Sequence, residues 1–446
     1  MYFHYSVLVL AFFVVVSPWF LYQAIRYKKY VASLGQRMGY LPVSFNMDAE
    51  HSIWIHAVSV GEVLTARPLV RDLRARYPRL RIFLSTTTLA GQQLARRSTQ
   101  DADAVFYFPF DLNVFVRRTL NLVRPRLFIM METEIWPNLL RECRKRGIKT
   151  AIVNGRLSQR SYPRYRLVRG FMRRVLADID RFCVQSDESA RRFIDLGASP
   201  STVTVTGSLK FDSLDLGPSI HARARDRVLR HFRVPSSRPV VVAGSTMKGE
   251  EAAVLRAFRR LRSVAPNALL ILAPRHPERF ADVARMSREE GLKTALRTEL
   301  PIDAEPRADV VILDSIGELA TIYQIASVVF VGGSLVDTGG HNILEPAVFG
   351  KPIVFGPHME NFAEIASAFV SNGAAIQVRG DRELDDTLRA LMTDSVRRAR
   401  LGAAARALVE ANRGAKDKSL QVLSELLPQD PTTSYPANVR PFRPIA

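Results

Sequence analysis

FVGGSLVDTGGHNILEPAVFGKPIVFGPHMENF, residues 330–362, reads as an apolar strand, a glycine-dense turn, a helix opening on Asn342 and a second apolar strand at 352–355. Strand, turn, helix, strand is the unit of a parallel α/β sheet. Glycines 332, 333, 339 and 340 let backbone amides approach a ligand, and the start of the following helix favours negative charge. Glu345, one turn into that helix, is placed to accept hydrogen bonds from a hydroxylated ligand. Such a turn with an inward carboxylate suits the sugar part of a nucleotide-activated donor. A parallel-sheet turn followed by a solvated acid fits these residues equally well.

The same rhythm fills the rest of the chain. Apolar, β-branched runs at 53–58, 81–86, 105–108, 127–131, 150–153, 182–185 and 203–206 alternate with amphipathic stretches. The signal lapses at 212–220, a linker followed by a basic helix, and resumes at 240–243, 269–273, 310–313, 328–331, 353–355 and 375–378. Two doubly wound halves with parallel sheets are expected, and in that architecture ligands bind beyond the carboxyl ends of the strands. The last stretch, 428–446, is proline-rich and polar and reads as a disordered tail.

The 446 residues suffice for two cores, and a hydrophobic content of 47% with 24% charge excludes a disordered chain. A net charge of +20 suits an anionic partner such as nucleic acid, an acidic bilayer or a phosphorylated amphiphile. Two cysteines, Cys143 and Cys183, lack metal-ligand spacing and read as reduced residues of a cytosolic compartment. No ionisable side chain of permanent charge precedes Arg26, and the apolar run 7–21 with its flanks reaches the ~20 residues that cross a bilayer. Residues 1–27 are therefore expected to be a transmembrane or inserted anchor. Arg26, Lys28, Lys29 and Arg37 would hold the rest on the cytoplasmic side.

Candidate chemistry falls at strand ends. IWIHAVSVGE (53–62) puts Glu62 at the opening of a helix, where it is either a charge paired with the helix dipole or a base whose burial offsets that dipole. LFIMMETEIWPNLL (127–140) places Glu132 and Glu134 two apart, on one side of an extended segment. NGRLSQRSYPRY (154–165) interleaves arginine and tyrosine, which fits RNA, phosphates of a lipid head group, or a solvated basic helix. VTGSLKFD (205–212) supplies Lys210, placed to neutralise a leaving group, and LAPRHPERF (272–280) supplies Arg275, pre-set by Pro274 for a phosphate contact. SIGEL (315–319) opens a further helix after a strand. Asp101 and Asp103 look like a metal-binding DxD but precede a strand, so they read as a turn. No ligand cluster for a metal stands out, and neither metal nor cofactor is expected.

Taken in order, WIHAVSVGE, METEIWPN, NGRLS, VTGSLKFD, GSTxxGEE, APRHPERF, GEL, FVGGS, GGHNILEPA and GPHMENF resemble the 3-deoxy-D-manno-octulosonic acid (Kdo) transferases of Gram-negative bacteria. The resemblance implies a GT-B fold, two Rossmann-like domains facing across a cleft. Residues 28–213 would bind the acceptor, a lipid A precursor, and 214–427 the donor, CMP-Kdo. It implies Glu62 as general base, with Glu132 and Lys210 stabilising the transition state. It implies Pro274 and Arg275, Ile316, Gly317 and Glu318, and Asn342, Ile343, Leu344 and Glu345 as the CMP-binding segments. Met247, where the family more often has histidine, and Ser327, where aspartate is common, depart from the pattern. Two other readings remain: an enzyme using a UDP-sugar, and a membrane-tethered RNA-binding protein. The inward acids argue against the second.

Overall fold

Strands form where the apolar runs predict them. The computed structural model describes residues 1–27, 31–158, 161–213, 226 and 228–427, with the side chains of residues 19–27 and 31–32 left undescribed. Most of the expected linker, the basic residues Lys28, Lys29 and Arg160, and the expected tail at 428–446 lie outside the described residues.

Contacts gather the chain into two units, Met1–Ser213 together with the chain from Arg413 on, and Leu214–Asn412. The first holds β1 (Ser52–His56), β2 (Arg81–Thr86), β3 (Ala104–Tyr107), β4 (Pro125–Met131), β5 (Lys149–Gly155), β6 (Arg181–Val184) and β7 (Val203–Val205). They form one parallel sheet in the order β3-β2-β1-β4-β5-β6-β7. Both faces are covered, which is why these strands read as continuous apolar runs. Alternate side chains of β1 show the two layers: Ile53 and Ile55 pack with Val63, Ala66 and Leu69, while Trp54 packs with Phe83, Phe106 and Phe128. Burying side chains of this size is worth roughly 1.5–3 kcal/mol each, so the sheet carries the unit.

The second unit holds β8 (Val240–Thr246), β9 (Leu269–Pro274), β10 (Thr294–Leu296), β11 (Val310–Ile312), β12 (Val328–Val331), β13 (Ile353–Phe355) and β14 (Ile376–Gln377). They too are parallel, in the order β10-β11-β9-β8-β12-β13-β14. β10 is the one strand with no expectation behind it. Its three residues carry a single β-branched side chain, too little pattern to register.

The helix Ala415–Ser424 belongs with the first unit, not the second, where the boundary at 427 had assigned it. Its Leu420 and Leu423 join the core of the first sheet beside Cys183 and Leu209. Asp212 secures it by accepting from the Gly414 and Lys416 amides at 2.8 and 2.7 Å.

Residues 1–27 are helical as expected, Tyr2–Tyr27, but among the described residues no helix is long and apolar enough to cross a membrane. One stripe of this helix is engaged by the first unit. The Tyr2 hydroxyl donates to Asp178 at 2.6 Å, that of Tyr5 to Asp111 at 2.9 Å, and Phe13 meets Phe110 edge-on. A helix docked through tyrosines and Ser6 on Asn138 is not surrounded by lipid. Its other face leaves Phe3, Val7, Leu8, Leu10, Phe12, Val14 and Val15 exposed.

Candidate active site

In the first unit the site grows from the turn after β1. Ser59 caps the helix Val60–Arg76, and Glu62 stands three residues on, the spacing of a capping box. Glu62 Oε1 accepts from the Ser59 hydroxyl at 2.9 Å and Oε2 from the Val58 amide at 2.8 Å. The structural reading of Glu62 therefore holds, yet it does not exhaust the residue. Burial outweighs these bonds and pushes its carboxyl up to about 7, with the nearby Glu132 adding repulsion. A carboxyl that gains and loses a proton near neutrality is what a general base needs.

Glu132 follows β4 in a left-handed conformation, φ 58°, held by its amide donating to Val153 at 2.9 Å. Non-glycine residues in this region cost roughly 1–3 kcal/mol and gather at functional sites. The segment is thus bent rather than extended at Glu132, so the period-two argument fails there. Glu132 and Glu134 nevertheless both reach the neighbourhood of Glu62: the Glu132 charge raises the Glu62 carboxyl, and the Glu62 charge raises that of Glu134. Burial first, and Glu62 second, push Glu134 up to about 8, against a hydrogen bond donated by the Trp136 indole at 3.0 Å. His56 on β1 and Trp136, which line this cluster, escaped the motif reading. The one available signal was a histidine inside an otherwise apolar strand.

Lys210 lies past β7 at the same carboxyl edge, in the turn whose Leu209 amide donates to Asn154 at 3.0 Å. The arginine–tyrosine segment is partly occupied. Tyr162 donates to Asp195 at 2.7 Å, and Arg166 and Arg169 pair with the same carboxylate at 3.8 and 3.4 Å. Asp103 is bound by Arg74 and by the Ile82 amide at 2.6 Å, which makes it a structural turn residue.

In the second unit, Pro274 ends β9 buried and Arg275 follows exposed, its amide donating to Thr246 at 2.9 Å. The helix near Asn342 starts later and is shorter than expected, Leu344–Val348. Asn342 accepts from the Leu344 amide at 3.1 Å and donates to Glu345 Oε1 at 3.2 Å. Burial raises the Glu345 carboxyl, partly offset by Asn342 and by Arg275. Arg275 also helps burial hold the half-buried His341 ring down to about 4. Arg275, His341, Asn342 and Glu345 are thus one constellation. Ile343 and Leu344 are fully buried, so only their backbone can face a ligand. Ile316, Gly317 and Glu318 follow β11, which neighbours β9. There the Glu318 carboxylate is engaged by Arg297 at 2.9 Å and by the Ser315 hydroxyl at 2.6 Å, leaving exposed Ile316 and Gly317 to present the segment.

The glycine turn itself departs from expectation. The amides of Gly333, Ser334 and Leu335 all donate to Glu250, at 2.6, 2.8 and 2.8 Å, and so do not await a ligand. Among the described residues Asp337, His358 and Glu360 have the reach to share a cation, but both acids are exposed and His358 pairs with each at 3.9 and 3.5 Å.

Two parallel Rossmann-like sheets in tandem, each with polar groups at the carboxyl edge, make the GT-B fold. Over 84% of the chain the fold matches UDP-GlcNAc 2-epimerase from Neisseria meningitidis, TM-score 0.57, covering 100% of that chain at 10% identity, a likeness of fold alone. The profile described as 3-Deoxy-D-manno-octulosonic-acid transferase (kdotransferase) matches residues 32–213, and that of Glycosyl transferases group 1 matches residues 252–408. The 3-deoxy-D-manno-octulosonic acid transferase of Haemophilus influenzae is 35% identical over 91% of this chain and 93% of its own. That of Bordetella pertussis is 35% identical over 84% and 87%. The chain belongs to the Kdo transferase family, and it is an enzyme.

Proposed function

We propose that this enzyme moves Kdo from CMP-Kdo to the hydroxyl of a lipid A precursor, with inversion at the anomeric carbon. The acceptor is handled by the first unit and the donor by the second. Glu62 takes the proton from the acceptor hydroxyl as its oxygen forms the new bond to the anomeric carbon. The bond from that carbon to the CMP phosphate oxygen breaks, and CMP leaves with the electron pair. Arg275 and Lys210 offset the charge on the departing phosphate, and Glu345 with Asn342 holds hydroxyls of the donor. Glu132, pinned in its strained conformation, keeps the Glu62 proton affinity high.

The observation that carries this reading is Glu62, a buried carboxyl in the first turn of the helix after β1, bonded to Ser59 and Val58 and pushed by burial up to about 7. We place the reaction at the cytoplasmic face of the inner membrane, supported by the exposed apolar face of the helix Tyr2–Tyr27 and by Arg26 at its end. Purified protein, CMP-Kdo and a tetra-acylated disaccharide phosphate should give a product heavier by whole Kdo units on mass spectrometry. Replacing Glu62 with alanine should abolish transfer while CMP still binds. Near-normal turnover by that variant would refute the assignment, and UDP-sugar consumption in place of CMP-Kdo would overturn the donor.

A further inference from the structure

Glu250 sits at the head of the helix Glu251–Leu261 and is completely buried. Its Oε2 accepts from the amides of Met247 at 2.9 Å and Gly333 at 2.6 Å, and its Oε1 from those of Ser334 and Leu335, both at 2.8 Å. Four donors around two oxygens satisfy a carboxylate whose burial would otherwise be prohibitive. Three consecutive amides of a glycine turn make an anion-binding nest, and here the protein supplies its own anion.

The donors come from two loops, one after β8 and one after β12, and the connections go further. The Gly333 carbonyl accepts from the Gly340 amide at 2.8 Å and from the Thr338 hydroxyl at 2.9 Å, closing the intervening segment into a loop. Ser334 reaches the turn after β13: its carbonyl accepts from the His358 amide at 2.9 Å and its hydroxyl from Gly356 at 2.8 Å. Asn342 and Glu345 stand directly beyond Gly340. One carboxylate thus fixes the backbone from which the donor-binding pair projects.

We propose that Glu250 is a positioning residue for the nucleotide donor, an internal anion that presets the segment 333–345. It follows that the donor phosphate is held at Arg275 and not by the Gly333–Leu335 amides. The inference rests on the reading that Arg275, Asn342 and Glu345 bind CMP.

Two variants of the full-length enzyme test it. Glu250→Ala empties the nest, and Glu250→Gln turns an N–H against N–H groups. Each should weaken CMP binding by about 10-fold or more, the scale of losing charge-assisted bonds, and raise the donor KM while leaving the acceptor KM in place. Formate, small enough to enter the emptied nest, should restore CMP affinity to Glu250→Ala but not to Glu250→Gln. Wild-type CMP affinity in both variants, or formate that restores the melting temperature without the affinity, would overturn the proposal. Hydrogen exchange on the wild-type enzyme is independent of how the variants fold. The amides of Gly333, Ser334 and Leu335 should exchange as slowly without CMP as with it, and fast exchange without CMP would overturn the preset loop. Wild-type protein that fails to bind CMP would sink the donor reading and this inference together. Intact wild-type binding with undiminished variants would sink the inference alone.

Discussion

His56 Nε2 stands 3.8 Å from Glu134 Oε2 and has no hydrogen-bond partner among the described residues. The Ser85 carbonyl oxygen, 3.1 Å from Nδ1, can only accept, so Nδ1 carries the proton and Nε2 presents a lone pair. Burial first, with Arg37 nearby adding to it, holds the ring's pKa down to about 3. A neutral ring stacked on Phe108 gives the carboxyls no countercharge. Glu62, Glu132 and Glu134 therefore crowd one sheet edge beside a silent base.

The rate should follow this cluster. With Glu62 titrating at about 7, kcat/KM for transfer should fall on the acid side of neutrality with unit slope. Glu132→Gln removes a repulsive charge and should shift that acid limb to lower pH, whatever it does to the maximum. Glu134, which binds its proton up to about 8, is neutral where Glu62 turns over, so Glu134→Gln should leave the limb in place. A pH–rate profile with no acid limb between pH 5 and about 8 contradicts the base assignment.

Stability should run opposite to activity. The Glu62 carboxyl has its usual value of 4.5 in the unfolded chain and about 7 in the fold. Between those values the folded state binds the extra proton, so stability falls as pH rises through that window. Glu62→Gln, which keeps an acceptor for Val58 and a donor for Ser59, should therefore be the more stable protein at high pH. The gain should approach about 3 kcal/mol at most at pH 8 and vanish below pH 4.5. Denaturant titrations at the two pH values decide it, and a variant less stable at pH 8 would count against the raised value.

Arg275 should matter to binding rather than to folding. It is exposed at the end of β9, and the groups whose titration it biases are Glu345 and His341. Arg275→Ala should weaken CMP about 10- to 100-fold by calorimetry with little change in melting temperature. Arg275→Lys should recover only part, since a point charge does not reproduce a two-pronged contact. Glu62→Gln should bind CMP like the wild type. Loss in both places would mean the two sites are not separable.

The strands were legible because both faces of each sheet are buried, so Ile53–Ile55 or Val240–Val242 read as unbroken apolar runs. Helix starts were less so: Asn342 looked like the first helical residue, whereas it stands before the N-cap Ile343, its side chain accepting from the amide of Leu344, where the helix begins. The positions of Glu62, Arg275 and Glu345 were legible because each follows closely on a strand end or helix start. What the sequence hid was long-range. Nothing local ties Glu250 to residues 333–335, more than eighty positions away, or tells that Glu318 is spent on Arg297. Similarly, apolar content marked the first helix, but only packing revealed that Tyr2 and Tyr5 anchor it to the domain.

Gly332 should tolerate no side chain. A Cβ there would lie 2.6 Å from both the Ser245 carbonyl oxygen and the Thr246 Cα, backbone atoms that cannot step aside. Gly332→Ala should cost roughly 1–3 kcal/mol, the range of overpacking, measured by denaturant unfolding. It should also weaken CMP, because the strain falls on the loop that leads to Gly333. Unchanged stability would mean that β8 and β12 approach less closely than described.

The exposed face of the helix Tyr2–Tyr27 gives the last expectation. Leu8, Phe12 and Val15 follow one another at helical spacing and are each about two-thirds or more exposed, at 68%, 68% and 76%. Elsewhere on the same helix Tyr2, Tyr5 and Ser6, none of them in this exposed set, hold it to the first unit. A helix so held is expected to lay its apolar face on a lipid surface without leaving the protein. Leu8→Asp with Val15→Asp removes apolar area and adds like charge facing anionic lipid, so binding to phosphatidylglycerol-containing vesicles should drop sharply in a co-sedimentation assay. The docked face is untouched, so turnover on a deacylated, water-soluble acceptor should stay near the wild-type rate. Full retention on vesicles would remove this helix from membrane attachment. Loss of turnover on the soluble acceptor would mean that the face packs against protein instead.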